Sequence, residues 1–359
     1  MGKKEMQEVY WLRIIACLSV VLIHAVSRVL TDFSVTGDDR VVYRTLQVIL
    51  LYGTPMFVLL STIVMTHAYK DHIPKGFLKK RLKYIFIPYL AMAAFYAGDK
   101  YYRYHWTFSD FAKEFGYNVI GQWHGYFVLI IFQFYLLHLA FVKYSNRFKP
   151  LHVLTISFCI SVGYWISLYF YFIDYVSHSS YLTLFFSRVL FVGWLFYYVV
   201  AYYCGKNYER FLNILNENWK FLLVGVIGSF TLLQYIYHTG ILMRVTSARF
   251  DVILYTVLLF FLLFYVFSKV KRVPRWIVST SGYSYGIYLL HPFVQTFVSR
   301  TVFREATELT YLFVQLIAGV FGPIVLIYLI SKFPFGKYVV GKMPVRKKDN
   351  KEVFKSKVA

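Results

Sequence analysis

A chain of 359 residues that is 58% hydrophobic, 21% aromatic and only 16% charged is too apolar for a soluble protein of two domains. Its apolar residues come in long blocks, and a block of about 18 or more can cross the hydrocarbon core as a helix. The net charge of +22 therefore belongs to a membrane protein beside an anionic leaflet, and a nucleic-acid partner is excluded.

Ten spans are predicted, near residues 9–30, 43–68, 83–99, 122–142, 151–173, 183–204, 219–238, 251–268, 283–300 and 309–331. Open sheet edges cannot face lipid, so the expected fold is all-α, a polytopic bundle of about ten transmembrane helices. The first block, "WLRIIACLSVVLIHAV", carries Arg13 and His24. Eleven positions make about three helical turns, so the two side chains share a face roughly 16 Å apart. Arg13 can snorkel to headgroups and His24 can bond a neighbouring helix. Ionisable residues inside spans are nevertheless rare and face an interior, which makes His24 a functional candidate. The block is too long for a signal peptide and has no small-residue cleavage site after it, so an uncleaved first helix is expected.

After the second span comes "KKRLKYIFIP", with Lys79, Lys80, Arg81, Lys83 and Pro88. Basic residues at such a junction bind lipid headgroups or a soluble anion. The connection Asp99–Gly121 contains "FSDFAKEF", which predicts a short amphipathic helix with a Ser cap. This helix reads as interfacial or as a wall for an outward-facing acceptor. "GQWHGYFVLIIFQFYLLH" opens the fourth span with Gln122, Trp123 and His124. Trp at an interface is ordinary, and an aromatic platform also stacks on sugar rings.

Near the end, "VSTSGYSYGIYLLHP" brings Ser279, Ser281, Tyr283, Ser284 and Tyr285 to the start of a span and places His291 and Pro292 at its middle. Proline removes a helical donor, so a kink and a polar pocket at mid-depth are expected, or else a packing kink with a satisfied histidine. Cys17, Cys159 and Cys204 all fall in apolar spans without metal spacing and read as small core residues. A basic tail over 336–359 follows a transmembrane domain over 1–335, and it reads as partly disordered. Alternate connections and both ends hold 27 of the 39 Lys and Arg. By the positive-inside rule both termini are cytoplasmic.

Together, Arg13 and His24 in the first span, "KKRLKYIFIP" after the second and "SYGIYLLHP" near the end resemble the acyltransferase-3 family over essentially the whole chain. These are ten-helix bacterial membrane proteins that move acyl groups from cytoplasmic acyl-CoA to extracytoplasmic glycans. "YGTPMFVLLS", "GQWHGYF" and "GKNYERFLNIL" are similar to the family's staphylococcal intercellular-adhesin branch, regarded both as exporters of poly-N-acetylglucosamine and as O-acyltransferases. The resemblance implies a bacterial plasma-membrane enzyme with His24 and Arg13 as its catalytic pair. It implies Lys80 and Arg81 for the donor's phosphates, and Tyr288 and His291 in a "YLxH" segment. Tyr285 and Trp123 complete the candidate pocket.

The expected reaction is O-acyl transfer from acetyl-CoA or succinyl-CoA to a sugar hydroxyl, with His24 as base. No bound cofactor and no metal is expected, since no metal-ligand spacing, phosphate loop or nucleophile elbow occurs. The expected partners are acyl-CoA, a glycan acceptor, the bilayer and polysaccharide synthase subunits. A polysaccharide exporter is the rival, although exporters often carry inverted repeats and paired helix breaks, and only the break at His291–Pro292 is visible. An assembly subunit of a synthase complex is a third class.

Overall fold

The computed structural model describes residues 6–70, 72–172, 185–301 and 306–341. The predicted basic tail beyond 341, the connection 174–182 and the adjoining ends of the fifth and sixth predicted spans lie outside the described residues. Described residues form helices and no strand. In chain order these are α1 (Glu8–Asp32), α2 (Gly37–Ile49), α3 (Gly53–Ala68), α4 (Phe77–Arg81), α5 (Ile87–Tyr104), α6 (Phe108–Val119) and α7 (Phe127–Tyr144). They continue with α8 (Pro150–Ser167), α9 (Leu195–Lys206), α10 (Tyr208–His238), α11 (Phe250–Ser268), α12 (Arg275–Thr301) and α13 (Glu308–Ser331).

Eight helical stretches among the described residues are long and apolar enough to cross a membrane, so the protein is an all-α polytopic membrane protein. The third and ninth predicted spans are helical too, as α5 and α12, but they do not reach that apolarity. For α12 the reason is its position. It packs between α1 and α13, so its polar Ser281, His291 and Gln295 are buried against protein, where polar groups in a membrane are tolerated.

Helix α1 is the axis of the bundle, packing on α3, α11, α12 and α13. The approach of α3 depends on Gly53, where a Cβ would lie 2.9 Å from Val20 Cγ2 and 3.4 Å from the Ala16 carbonyl oxygen. On the N-terminal side, Tyr208 at the start of α10 donates to the buried Glu8 carboxylate at 2.8 Å.

The amphipathic helix predicted in the long connection is α6, but its cap is Thr107 and not Ser109. Thr107 Oγ1 accepts from the Asp110 backbone while Asp110 accepts from the Thr107 backbone, a reciprocal capping box. Tyr89 and Asn118 tie α6 back to α5: the Tyr89 hydroxyl donates to the Asn118 carbonyl at 2.6 Å, and Asn118 Nδ2 donates to the Ala93 carbonyl at 3.0 Å. Cys17 and Cys204 are buried as expected, whereas Cys159 is exposed on α8. Helix α8 is a peripheral helix with few residues turned inward, so membership of an apolar span did not place this thiol in the core.

Two local departures from helix shape the interior. Pro88 offers no N–H to the Tyr84 carbonyl, and the chain widens to a π-helical turn over Leu82–Phe86, between α4 and α5. Beyond α13 the chain does not leave the bundle. Gly336–Tyr338 form a helical turn, Tyr338 stacks on Tyr84 with ring centroids 6.5 Å apart, and Val340 is buried in a cluster with Ile287 and Ile327.

Candidate functional site

Between α1, α3, α7, α12 and the α4–α5 junction lies a cavity of about 650 Å³. That is an ordinary size for a ligand site. Its polar lining comes from Arg13, Ser61, Lys80, Arg81, Tyr84, Tyr135, Ser281, Ser284, Tyr285 and Tyr288, with no Asp or Glu. The wall therefore carries three cations and no carboxylate to neutralise them. Among the described residues the ion pairs are Lys100–Glu114, Arg103–Asp99 and Arg249–Asp251, none of them at this wall.

The π-turn and the α12 start hold the cationic end in place. Arg81 lies over the rings of Phe77 and Tyr135, with centroids 5.1 and 5.3 Å from its Cζ. Its Nε is buried without a hydrogen-bond partner. The Ile85 carbonyl, within the π-turn, accepts from the Tyr285 hydroxyl at 2.7 Å. Lys80 is exposed at the end of α4, and Arg13 is half-buried one helix away. The interfacial reading of Arg13 as a lipid-snorkelling residue is replaced: its side chain faces this cavity.

At the far end the cavity stops at Tyr288, whose hydroxyl donates to the His124 carbonyl. Behind Tyr288 three imidazoles gather. His24 and His291 rings have centroids 5.1 Å apart, and His124 and His291 5.7 Å. His24 comes from the middle of α1, His291 from the Pro292 turn of α12, and His124 from the helical turn before α7. His291 Nδ1 is 2.9 Å from the Ile287 carbonyl, and His124 Nε2 is 3.1 Å from the Leu289 carbonyl. One turn outward from His24, Arg28 Nη2 donates to Thr296 Oγ1 at 2.5 Å, and Thr296 donates to the Pro292 carbonyl at 2.6 Å. Helix α1 thus presents Arg13, His24 and Arg28 successively along the side that meets α12. Among the described residues no three His, Cys, Asp or Glu side chains are grouped as a metal site.

Five of the eight sequence-derived site residues, Arg13, Lys80, Arg81, Tyr285 and Tyr288, therefore line one cavity, and His24 and His291 sit together just beyond it. Trp123 does not join them as an open platform. It is 9% exposed and its ring is covered by Tyr89, Tyr96 and His124. A ring enclosed in this way packs; it offers no face to a sugar. His124 is the residue that sequence reasoning named only as part of a span opening. Its signal was a histidine between Trp and Gly at a helix start, but its partner Leu289 is 165 residues away.

Comparison with known proteins accords with this arrangement. The family model of the acyltransferase-3 type, described as an acyltransferase domain, matches residues 6–332. A protein of Bacillus subtilis (strain 168), YfiQ, whose name places it among membrane-bound acyltransferases, is 37% identical over 97% of this chain and 98% of its own length. Proteins of Staphylococcus aureus (strain Mu50 / ATCC 700699) and Staphylococcus epidermidis, named for poly-beta-1,6-N-acetyl-D-glucosamine export, are each 29% identical over 96% of this chain and cover 98% and 97% of their own lengths. No solved structure matches the chain. With a family match spanning every described helix from α1 to α13, on a bundle whose interior gathers cations and histidines, the chain belongs to the acyltransferase-3 family of membrane proteins.

Proposed function

We propose that the protein transfers an acetyl or succinyl group from acyl-CoA, entering at the cytoplasmic side, to a hydroxyl of an extracytoplasmic glycan. The observation that carries this reading is the cavity, which has three uncompensated cations at one end and Tyr288 at the other, beside His291, which in turn meets His24. The family and the Bacillus relative support acyl transfer. The phosphate-bearing donor is inferred from the cations of the wall, and the glycan acceptor from the relatives named for poly-beta-1,6-N-acetyl-D-glucosamine export.

In this reading the donor's phosphates meet Lys80, Arg81 and Arg13 through charge-assisted hydrogen bonds. The thin acyl arm runs along Tyr84, Tyr135 and Tyr285 and brings the thioester to Tyr288. A sugar hydroxyl is a poor nucleophile at neutral pH, and a base within reach assists by about 10²–10⁴-fold. His24 takes the hydroxyl proton as the new C–O bond forms. The C–S bond then breaks and His24 returns the proton to the departing thiolate, so the enzyme ends as it began. The cell membrane of a bacterium is the proposed location, and synthase subunits are the proposed partners on the acceptor side.

The staphylococcal relatives named for export keep polysaccharide export as the second reading. Wild type and His24→Ala, at matched membrane levels, would be fed labelled acetyl and succinyl donors. Label entering surface glycan with wild type and absent with His24→Ala supports acyl transfer. Unlabelled glycan whose amount alone follows the protein supports export.

A further inference from the structure

Two carbonyl oxygens settle the protonation pattern of the histidine cluster. A carbonyl only accepts, so the ring nitrogen beside it must carry the hydrogen. His291 therefore has its proton on Nδ1, given to the Ile287 carbonyl at 2.9 Å, and a lone pair on Nε2. His124 has its proton on Nε2, given to the Leu289 carbonyl at 3.1 Å. His291 Nε2 is fully buried and has no hydrogen-bond partner. A buried acceptor left unpaired is costly, so this lone pair calls for a donor.

Of the two rings nearest to it, only one has a proton to give. The single proton of neutral His124 is already committed to Leu289. His24 makes no hydrogen bond to a described residue, and its ring centroid is 5.1 Å from that of His291. Two imidazoles joined by an N–H···N bond of about 3 Å have centroids roughly 5 Å apart, so a small rotation of His24 completes the contact.

We infer that His291 is the positioning residue for His24: its Nε2 accepts from the facing nitrogen of His24, which leaves the other His24 nitrogen as the base. The Ile287 carbonyl, through His291, thereby selects which nitrogen of His24 is basic, as the third group of a nucleophile–base pair does. This inference rests on the reading of His24 as the base. During transfer the hydroxyl proton goes to the free His24 nitrogen and leaves with the thiolate, while the C–O bond forms and the C–S bond breaks. His291 neither gains nor loses a proton; it accepts a stronger hydrogen bond from the transient imidazolium.

The test is nitrogen NMR of histidine-labelled protein in bilayers, with the His24 signals assigned by their loss in His24→Gln. Wild type should show His24 in one tautomer. His291→Leu should give His24 a mixture or the opposite tautomer, and so should His291→Asn, whose amide reaches Ile287 but not His24. His291→Gln, which restores an acceptor at the Nε2 position, should retain the wild-type form, and His124→Phe should leave it unchanged. In acyl transfer, His291→Leu and His291→Asn should lower kcat by about 10- to 100-fold at unchanged donor KM, with partial recovery in His291→Gln. A His24 tautomer indifferent to both His291→Leu and His291→Asn overturns the inference, as does a Gln variant no better than Leu in either readout. If the tautomer responds as stated while wild type transfers no label, the positioning role stands and the acyl-transfer reading fails.

Discussion

Arg81 combines two features that rarely coincide: stacking on two rings and a buried Nε without a partner. No Asp or Glu lines the cavity wall beside it, and the proposed function gives it the donor's phosphates. Arg81→Ala should weaken binding of a CoA thioester by about 10-fold or more, the loss expected for a hydrogen bond to a charged group. Titration of the purified protein, repeated at rising salt, would measure this, and an unchanged affinity would remove Arg81 from the donor site. Trp123 has a different role. Buried against Tyr89, Tyr96 and His124, it should cost about 3–5 kcal/mol of stability when replaced by Ala, seen as a lowered Tm in detergent. At this scale the sequence was readable where the relation is local. Arg13 and His24 share a helix, so their spacing alone places them on one side. The enclosure of Trp123 and the partner of His124 depend on residues far along the chain, and no spacing rule reaches them.

Among the elements, α12 departs furthest from an ordinary span. Its proline was visible in sequence, with two readings open, a polar pocket at mid-depth or a packing kink with a satisfied histidine. In the structure His291 donates to the Ile287 carbonyl, as the second has it, and is unpaired on its other nitrogen. Hidden from sequence was that the Leu289 carbonyl, one turn before Pro292, accepts from both Tyr96 at 2.9 Å and His124 at 3.1 Å. Pro292→Ala would restore an N–H and favour a straight helix by up to ~3 kcal/mol. The expected result is a protein at least as stable as wild type with reduced transfer, because the Leu289 carbonyl is drawn from its two donors. Tm and transfer rate measured on the same preparation would check it; a variant with normal transfer would show Pro292 to be irrelevant to the reaction. Helix α6 provides a simpler case. Thr107→Ala removes one half of the capping box and should destabilise that helix by about 0.5–2 kcal/mol. Hydrogen exchange over residues 108–112 should accelerate, while α5 beneath it should not.

For the whole molecule, the periodic placement of Lys and Arg between apolar blocks carries the clearest directional information in the sequence. It predicts that the N-terminus, the "KKRLKYIFIP" segment and the C-terminus share the cytoplasmic side. The fold brings Tyr84, from that segment, against Tyr338, so that segment and the stretch just after α13 share a side of the bundle. Single cysteines introduced at Lys79 and at Lys332 should resist a membrane-impermeant thiol reagent in intact cells and react after permeabilisation. Reaction at either in intact cells would reverse the orientation and put the cationic end of the cavity on the outer side. Ten apolar blocks were legible in the sequence, and among the described residues eight helical stretches are long and apolar enough to cross a membrane. Their order around α1 was not legible, because apolar blocks of similar composition are interchangeable until close approaches such as Gly53 on Val20 select a neighbour.

The short stretch after α13 sets where this chain can be cut. A Cβ on Gly341 would lie 2.9 Å from Tyr285, and its φ of +85° suits glycine; Val340 is buried and Lys83 lies 5.5 Å from the Tyr338 ring. Two of the residues held in this way, Tyr84 and Tyr285, belong to the cavity wall. A deletion that stops at the last membrane helix therefore opens the floor of the cavity, whereas one that stops after Gly341 leaves it closed. Reporter fusions and affinity handles joined at Ser331 will produce a leaky or empty chamber, and the same handles joined ten residues later will not.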